Sequence, residues 1–152
     1  MNLFLYLEQF TEQISFSINK ISFRRALVLD KPTILLVEDD YSSRNITKLF
    51  LKDICNVETA VDGDSAIEMC RAKNYPLILM NLGLGNGKDG MQTTQGIKKI
   101  PGYGKIPVAA VTAYGFASDR ENLLSAGFTD YLAKPFNRTA LIKLVKNLLN
   151  VT

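Results

Sequence analysis

The chain has 152 residues, 47% of them hydrophobic, enough to bury one good core and too few for two comfortable domains. A formal charge of +3 without a basic run leaves no electrostatic footprint for nucleic acid, and apolar stretches shorter than the ~20 residues that cross a bilayer exclude a membrane span. Cys55 and Cys70 stand in no metal-like spacing and the chain has no histidine; zinc would lack its usual ligands, and both are read as reduced, mostly buried thiols of a cytosolic protein.

Residues 1–30 form a segment of their own ahead of a domain at 31–152. The start, Met1-Asn2-Leu3-Phe4, has neither a positive leader nor a small-residue cleavage site, so it does not read as a signal peptide. Leu3, Leu7, Phe10, Ile14 and Ile21 keep most of a heptad seam, interrupted at Ser17 and widened by Phe4 and Ile18, which predicts a helix in need of a partner surface. It would fold back on the domain, belong to an upstream linker, or dimerise and transmit a signal. Lys20, Arg24 and Arg25 are thin support for binding at a membrane surface.

From Lys31 the chain alternates short β-rich runs with longer helical patterns, the signature of βαβ units feeding a parallel sheet. Thr33 to Glu38 is the first strand, apolar without a break, as a strand covered on both faces should be. Tyr41 to Lys52 is a helix capped by Asp40 or Ser42, with Ile46, Leu49, Phe50 and Ile54 spaced for an inward face. Asn56 to Ala60 is the second strand, and Asp62-Gly63-Asp64 turns into a helix whose inward stripe is Ala66, Ile67, Met69 and Cys70. Leu77 to Asn81 is the third strand. Gly83, Gly85, Gly87 and Gly90 then mark an irregular loop before a helix from about Met91 to Lys99. Ile106 to Thr112, Ala117 to Ala126, Thr129 to Leu132 and Asn137 to Leu149 complete the series as strand, helix, strand and helix. Right-handed crossovers leave few topologies for such an alternation, the doubly wound sheet first among them.

In that architecture ligands collect at the carboxyl ends of the strands, and four of the apolar runs end in polar groups. Glu38-Asp39-Asp40 closes the first; two adjacent carboxylates suit a hard divalent ion such as Mg²⁺, or equally a solvated turn. Asn81 closes the third and Thr112-Ala113 the fourth. Lys134-Pro135-Phe136 follows the fifth, where an ammonium would balance the acids or bind a phosphoryl oxygen. Thr112 has a hydroxyl to donate, Ala113 is small enough to leave access, and Tyr131 is by default a packing aromatic.

As a set, Ile34-Leu35-Leu36-Val37-Glu38-Asp39-Asp40, Leu77-Ile78-Leu79-Met80-Asn81-Leu82 with Asp89-Gly90 downstream, Val111-Thr112-Ala113 and Tyr131-Leu132-Ala133-Lys134-Pro135-Phe136 resemble the receiver domain of bacterial two-component response regulators, over about residues 32 to 150. The resemblance implies a flavodoxin-like five-stranded α/β sheet of order 2-1-3-4-5, with an extra N-terminal helix here. It implies a cytoplasmic, non-enzymatic signalling module that takes a phosphoryl group from a histidine kinase or phosphotransfer protein onto an aspartate. Carried over, Glu38 and Asp39 are the Mg²⁺ acids, joined by position 81 and the backbone carbonyl of Gly83. Thr112, Ala113, Tyr131 and Lys134 are the switch and phosphate-binding groups. Partners would read the face of the fourth helix, fifth strand and fifth helix, and a homodimer could use that face or residues 1–30.

Asn81 departs from that pattern, because it stands where the reactive aspartate belongs. An amide is neutral and poorly nucleophilic, so no phosphoryl group should be accepted there, and Mg²⁺ should bind more weakly. The loop from Asn81 to Gly90 is also one residue longer than the common pattern. Either the natural domain is degenerate or an aspartate was replaced; retention of Thr112, Tyr131 and Lys134 favours replacement. The alternative function is a phosphate-independent pseudo-receiver acting as an interaction module. Nucleotide hydrolysis is disfavoured: Gly83-Leu84-Gly85-Asn86-Gly87-Lys88 misses the Walker spacing, and Asp89 stands where Ser or Thr would hold Mg²⁺. With no output domain after Thr152, a stand-alone receiver and one cut from a hybrid kinase are both open.

Overall fold

Five apolar runs become five parallel strands in the computed structural model, which describes residues 31–113 and 120–151. They are β1 (Thr33–Val37), β2 (Asn56–Ala60), β3 (Ile78–Met80), β4 (Val108–Thr112) and β5 (Asp130–Ala133), in the order β2-β1-β3-β4-β5. Parallel neighbours need crossovers, supplied by α1 (Tyr41–Leu51), α2 (Gly63–Ala72), α3 (Gly90–Lys98) and α4 (Arg120–Ser125), with α5 (Arg138–Leu149) after β5. The expectations for residues 1–30, a seam-bearing helix and a dimerising role, lie outside the described residues. So do Ala117 to Asp119, the expected start of the fourth helix.

Strand side chains alternate between two apolar layers, which is why the central strand β3 is wholly apolar and β1 and β4 are apolar but for one threonine each. On one face Leu35, Val37, Ile78, Met80, Val108 and Ala110 pack with Ala66, Ile67, Cys70 and Ile97 of α2 and α3. On the other, Ile34, Leu36, Leu79, Ala109 and Val111 pack with Leu51, Leu141, Leu144 and Val145 of α1 and α5. Helices on both faces make the sheet doubly wound. Cys55 and Cys70 are buried, as expected, and burial pushes the Cys70 thiol pKa up.

One inward face differs from its expectation. In α1 the buried residues are Thr47 and Leu51, with Phe50 and Ile54 packed at the margin, while Ile46 and Leu49 are 48% and 58% exposed. The helix is turned by about one position because a threonine, invisible to an apolar pattern, lies on the buried line. β2 matches its expected bounds and β5 is displaced by one residue, but the other three strands run shorter than expected. Glu38, Asn81 and Pro107 lie just outside β1, β3 and β4.

Caps fix the helix starts. Asp40 accepts from the Ser43 N–H at 2.7 Å, whereas Asp62 and Asp89 each head a capping box, with Ser65 and Gln92 respectively. At two glycines the approach is too close for a side chain: a Cβ on Gly63 would meet Thr93 Oγ1 at 2.1 Å, and one on Gly90 would meet the Asn81 carbonyl oxygen at 2.3 Å. Gly90 thereby lets α3 start directly against the backbone at the end of β3.

A second polar cluster lies at the amino end of β3. The Tyr103 hydroxyl donates to the Lys73 carbonyl at 2.5 Å and accepts from the Tyr75 N–H at 3.0 Å. The Tyr75 hydroxyl donates to Glu58, which also takes a bond from Lys73 Nζ. Burial pushes the Tyr103 pKa up to about 12 and raises that of Tyr75. The Lys73 and Tyr75 bonds hold the Glu58 carboxyl below its ordinary range.

Candidate functional site

Parallel ladder bonds continue one residue past the strand ends and set the rim of the sheet. The Glu38 N–H donates to the Ala60 carbonyl at 3.0 Å, the Asn81 N–H to Val37 at 2.9 Å, and the Lys134 N–H to Thr112 at 2.8 Å. These backbones are therefore held by the sheet rather than by the loops that follow. Glu38 is 2% exposed and Asn81 9%, so both must find partners within the fold.

They find each other. Asn81 Nδ2 donates to Glu38 Oε1 at 3.0 Å and to Asp39 Oδ1 at 3.2 Å, bridging the acid pair. Its Oδ1 accepts from the Gly83 N–H at 3.2 Å. Glu38 Oε2 takes the Lys134 ammonium, a largely buried ion pair, and Oε1 also accepts from the Asp40 N–H at 3.2 Å. Asp39 Oδ2 accepts from the Gly85 N–H at 3.2 Å. Each of the four oxygens of Glu38 and Asp39 thus accepts a hydrogen bond from the chain itself.

Lys134 also reaches the Ser43 hydroxyl at 3.5 Å, and its peptide bond to Pro135 is cis. Thr112 is buried at the end of β4, in register with Ala133. Ala113 is exposed and, with Ser43, Ile46, Lys134, Pro135 and Phe136, lines an open cleft of about 340 Å³ beside the acids. Tyr131 stands apart. It is 37% exposed on β5, beside Leu123, Leu124 and Phe128, so it packs there in part with its remaining surface open to solvent.

Three contributors escape a reading of the sequence. Arg44 Nη1 donates to the carbonyls of Glu38 and Asp39, at 2.8 and 2.7 Å, and so fixes the backbone of the acid pair. A cation near a helix N-terminus runs against the macrodipole, and that mismatch was the available signal. Gly85 contributes only a backbone N–H, and Ser43 a hydroxyl from the first turn of α1; neither leaves a mark in a sequence. The Ser43 backbone N–H and hydroxyl, with Lys134 and Arg44 nearby, lower the Asp40 pKa.

The family model for the response regulator receiver domain matches residues 34–146. The chain belongs to that family. Transcription factor prr1 of Schizosaccharomyces pombe is 39% identical over 123 residues, spanning 80% of this chain but 22% of that protein. The histidine-protein kinase BarA of Escherichia coli is 33% identical over 114 residues, 74% of this chain and 12% of that one. The chain therefore spans less than a quarter of either relative. The receiver domain of the sensor histidine kinase PA1611 from Pseudomonas aeruginosa, whose crystal structure carries a magnesium ion in its active site cleft, superposes with a TM-score of 0.73 at 33% identity, over 80% of this chain and 99% of that one. Receiver membership agrees with the sheet order, and the expected fold is the observed one. Among the described residues no helix is long and apolar enough to cross a membrane.

A receiver invites the question whether these groups fit a divalent cation. Mg²⁺ asks for hard oxygens in octahedral array, and Glu38 and Asp39 offer carboxylates. Asn81, however, turns its NH₂ toward both, a donor where a cation needs an acceptor. Among the described residues no group of three acids, cysteines or histidines is arranged to hold a metal. As arranged, the receiver pocket does not fit the ion; the Asn81 amide would first have to turn over.

Proposed function

We propose that this chain is the receiver module of a two-component phosphorelay in which position 81 is the phosphoacceptor position and, as Asn, takes no phosphoryl group there. The observation that carries this is the bridge from Asn81 Nδ2 to Glu38 and Asp39 at the carboxyl ends of β1 and β3. A carboxylate at that point would attack phosphorus and leave an acyl phosphate as the donor's bond to phosphorus breaks; a neutral amide has no such oxygen. Thr112 and Lys134 would bind phosphoryl oxygens, Ala113 would leave the approach open, and Tyr131 would change its exposure. Mg²⁺ taken up by Glu38, Asp39, position 81 and the Gly83 carbonyl would be held more weakly than beside a third carboxylate. The partners are a histidine kinase or phosphotransfer protein in the cytoplasm, and the module is a switch rather than an enzyme. A homodimer through the α4, β5 and α5 face, or through residues 1–30, belongs to the same proposal.

Labelling tests it. Asn81→Asp should incorporate phosphate stoichiometrically from a small phosphodonor, and the parent chain none; equal labelling of both would move the nucleophile to Asp39 or Asp40. A second reading, the phosphate-independent interaction module, is favoured by the self-satisfied acid pair and the outward Tyr131. Beryllofluoride added to Asn81→Asp should shift the amide signals of Thr112 and Tyr131 in the switch reading and leave them in place in the module reading.

A further inference from the structure

We infer that the Asn81 amide and the Gly85 N–H form a clasp that takes the place of a divalent cation, setting the acid pocket without metal and opposing its uptake. The inference rests on position 81 being the phosphoacceptor position, and deepens it by assigning a role to the glycine-rich loop. A cation between two carboxylates supplies positive charge to both. Here Asn81 Nδ2 does so through two N–H bonds, at 3.0 and 3.2 Å, and Lys134 adds the full charge on the far oxygen of Glu38.

The remaining oxygen, Asp39 Oδ2, is covered from the loop 46 residues away in sequence, by the Gly85 N–H at 3.2 Å. The same loop holds Asn81 in this orientation, since the Gly83 N–H binds Oδ1 and keeps the NH₂ toward the acids. A Cβ on Gly85 would come within 3.1 Å of Asp39 Oδ2, so glycine allows the loop to lie close to the carboxylate. Gly87 follows in the left-handed region at φ +74°, where glycine carries no steric penalty. Uptake of a cation must turn the Asn81 amide, break its bond to Gly83, and lift Gly85 from Asp39. Four hydrogen bonds therefore oppose the ion, apart from the loss of the third carboxylate.

The sign of one substitution decides the matter. If Asn81 helped to ligate the ion through Oδ1, removing its side chain would weaken binding; if it is part of a clasp, removal strengthens it. Mg²⁺ titrations of the full chain, followed by calorimetry and amide NMR, should rank affinity as Asn81→Asp above Asn81→Ala above the parent. Asn81→Ala should gain about fivefold over the parent, the scale of one net hydrogen bond. Tighter binding by the parent than by Asn81→Ala overturns the clasp. Asn81→Asp that neither binds Mg²⁺ nor labels with a phosphodonor overturns the phosphoacceptor assignment instead. Gly85→Pro, which removes the N–H, should add about fivefold in Mg²⁺ affinity when combined with Asn81→Asp; no change removes Gly85 from the clasp. If a variant fails to fold, hydrogen exchange settles the same point: Asp39→Ala should speed exchange at the Gly85 amide about fivefold or more, and an unchanged rate overturns the loop's part.

Discussion

At the amino end of β3, Tyr75 and Tyr103 lie sealed in the interior, 2% and 1% exposed, and exchange hydrogen bonds mainly with backbone groups. At its carboxyl end Asn81 meets two carboxylates, one of them, on Asp39, exposed. Both clusters satisfy their polar atoms, but by different means. The tyrosine cluster ties one buried hydroxyl to backbone groups and the other to Glu58, whose single charge meets Lys73 at the surface. The acid cluster gathers two negative charges beside one ammonium and borrows its remaining donors from an amide and a loop. A buried network of the first kind rigidifies; one of the second kind keeps two carboxylates together only through bonds from an amide, a loop and one ammonium.

Breaking the tyrosine end should cost the most. Tyr103→Ala empties a buried aromatic site and orphans the Tyr75 N–H and the Lys73 carbonyl, for an expected loss of about 3–5 kcal/mol in urea unfolding. Tyr103→Phe keeps the ring and should lose about 1–3 kcal/mol, the cost of leaving buried groups unpaired. Near-equal losses would mean that the hydroxyl, not the ring, carries the cluster.

Charging the acid end should cost less. Asn81→Asp sets a third carboxylate beside two others. Charges about 5 Å apart repel by roughly 3 kcal/mol at an effective dielectric near 20 before screening, so the metal-free variant should be less stable by about 1–2 kcal/mol. Millimolar Mg²⁺ should restore it while leaving the parent unmoved. Equal melting temperatures and equal Mg²⁺ shifts would erase the contrast between the two ends.

The smallest effect is silent at neutral pH. Tyr103 keeps its proton in the folded chain to about 12, against an ordinary 10.0. Its contribution is whole below pH 10 and is lost as pH rises toward about 12, because the unfolded chain ionises first. Melting temperature should therefore fall on that alkaline limb, and less steeply in Tyr103→Phe than in the parent.

Much of this was legible in the chain. Ile34 to Val37 and Val108 to Val111 could only be strands covered on both faces, and their polar endings, Glu38 and Thr112, pointed to one rim. Asn81 was legible as a departure from the receiver pattern because its neighbours are so specific. The α1 face was misread at Ile46 and Leu49, since periodicity counts apolar residues and Thr47 took the buried line. The partial exposure of Tyr131 was not legible, because composition cannot tell the inner from the outer side of an edge strand. The roles of Arg44 and Gly85 were missed, Arg44 leaving only its mismatch with the helix dipole as a sign. One acts on carbonyls and the other through an N–H, and no side-chain pattern records backbone groups.

The sequence by itself determined the alternation of strands and helices and which side chains stand at the strand ends. Each follows from local apolar periodicity and short connections, which act over a few residues. Only the tertiary structure decided what those side chains do on meeting: that the Asn81 amide faces the acids with its NH₂, that Lys134 pairs with Glu38, and that Gly85 lies on Asp39. These contacts join residues from 42 to 96 positions apart, and hydrogen-bond direction depends on geometry that exists only once the sheet has brought its strand ends together.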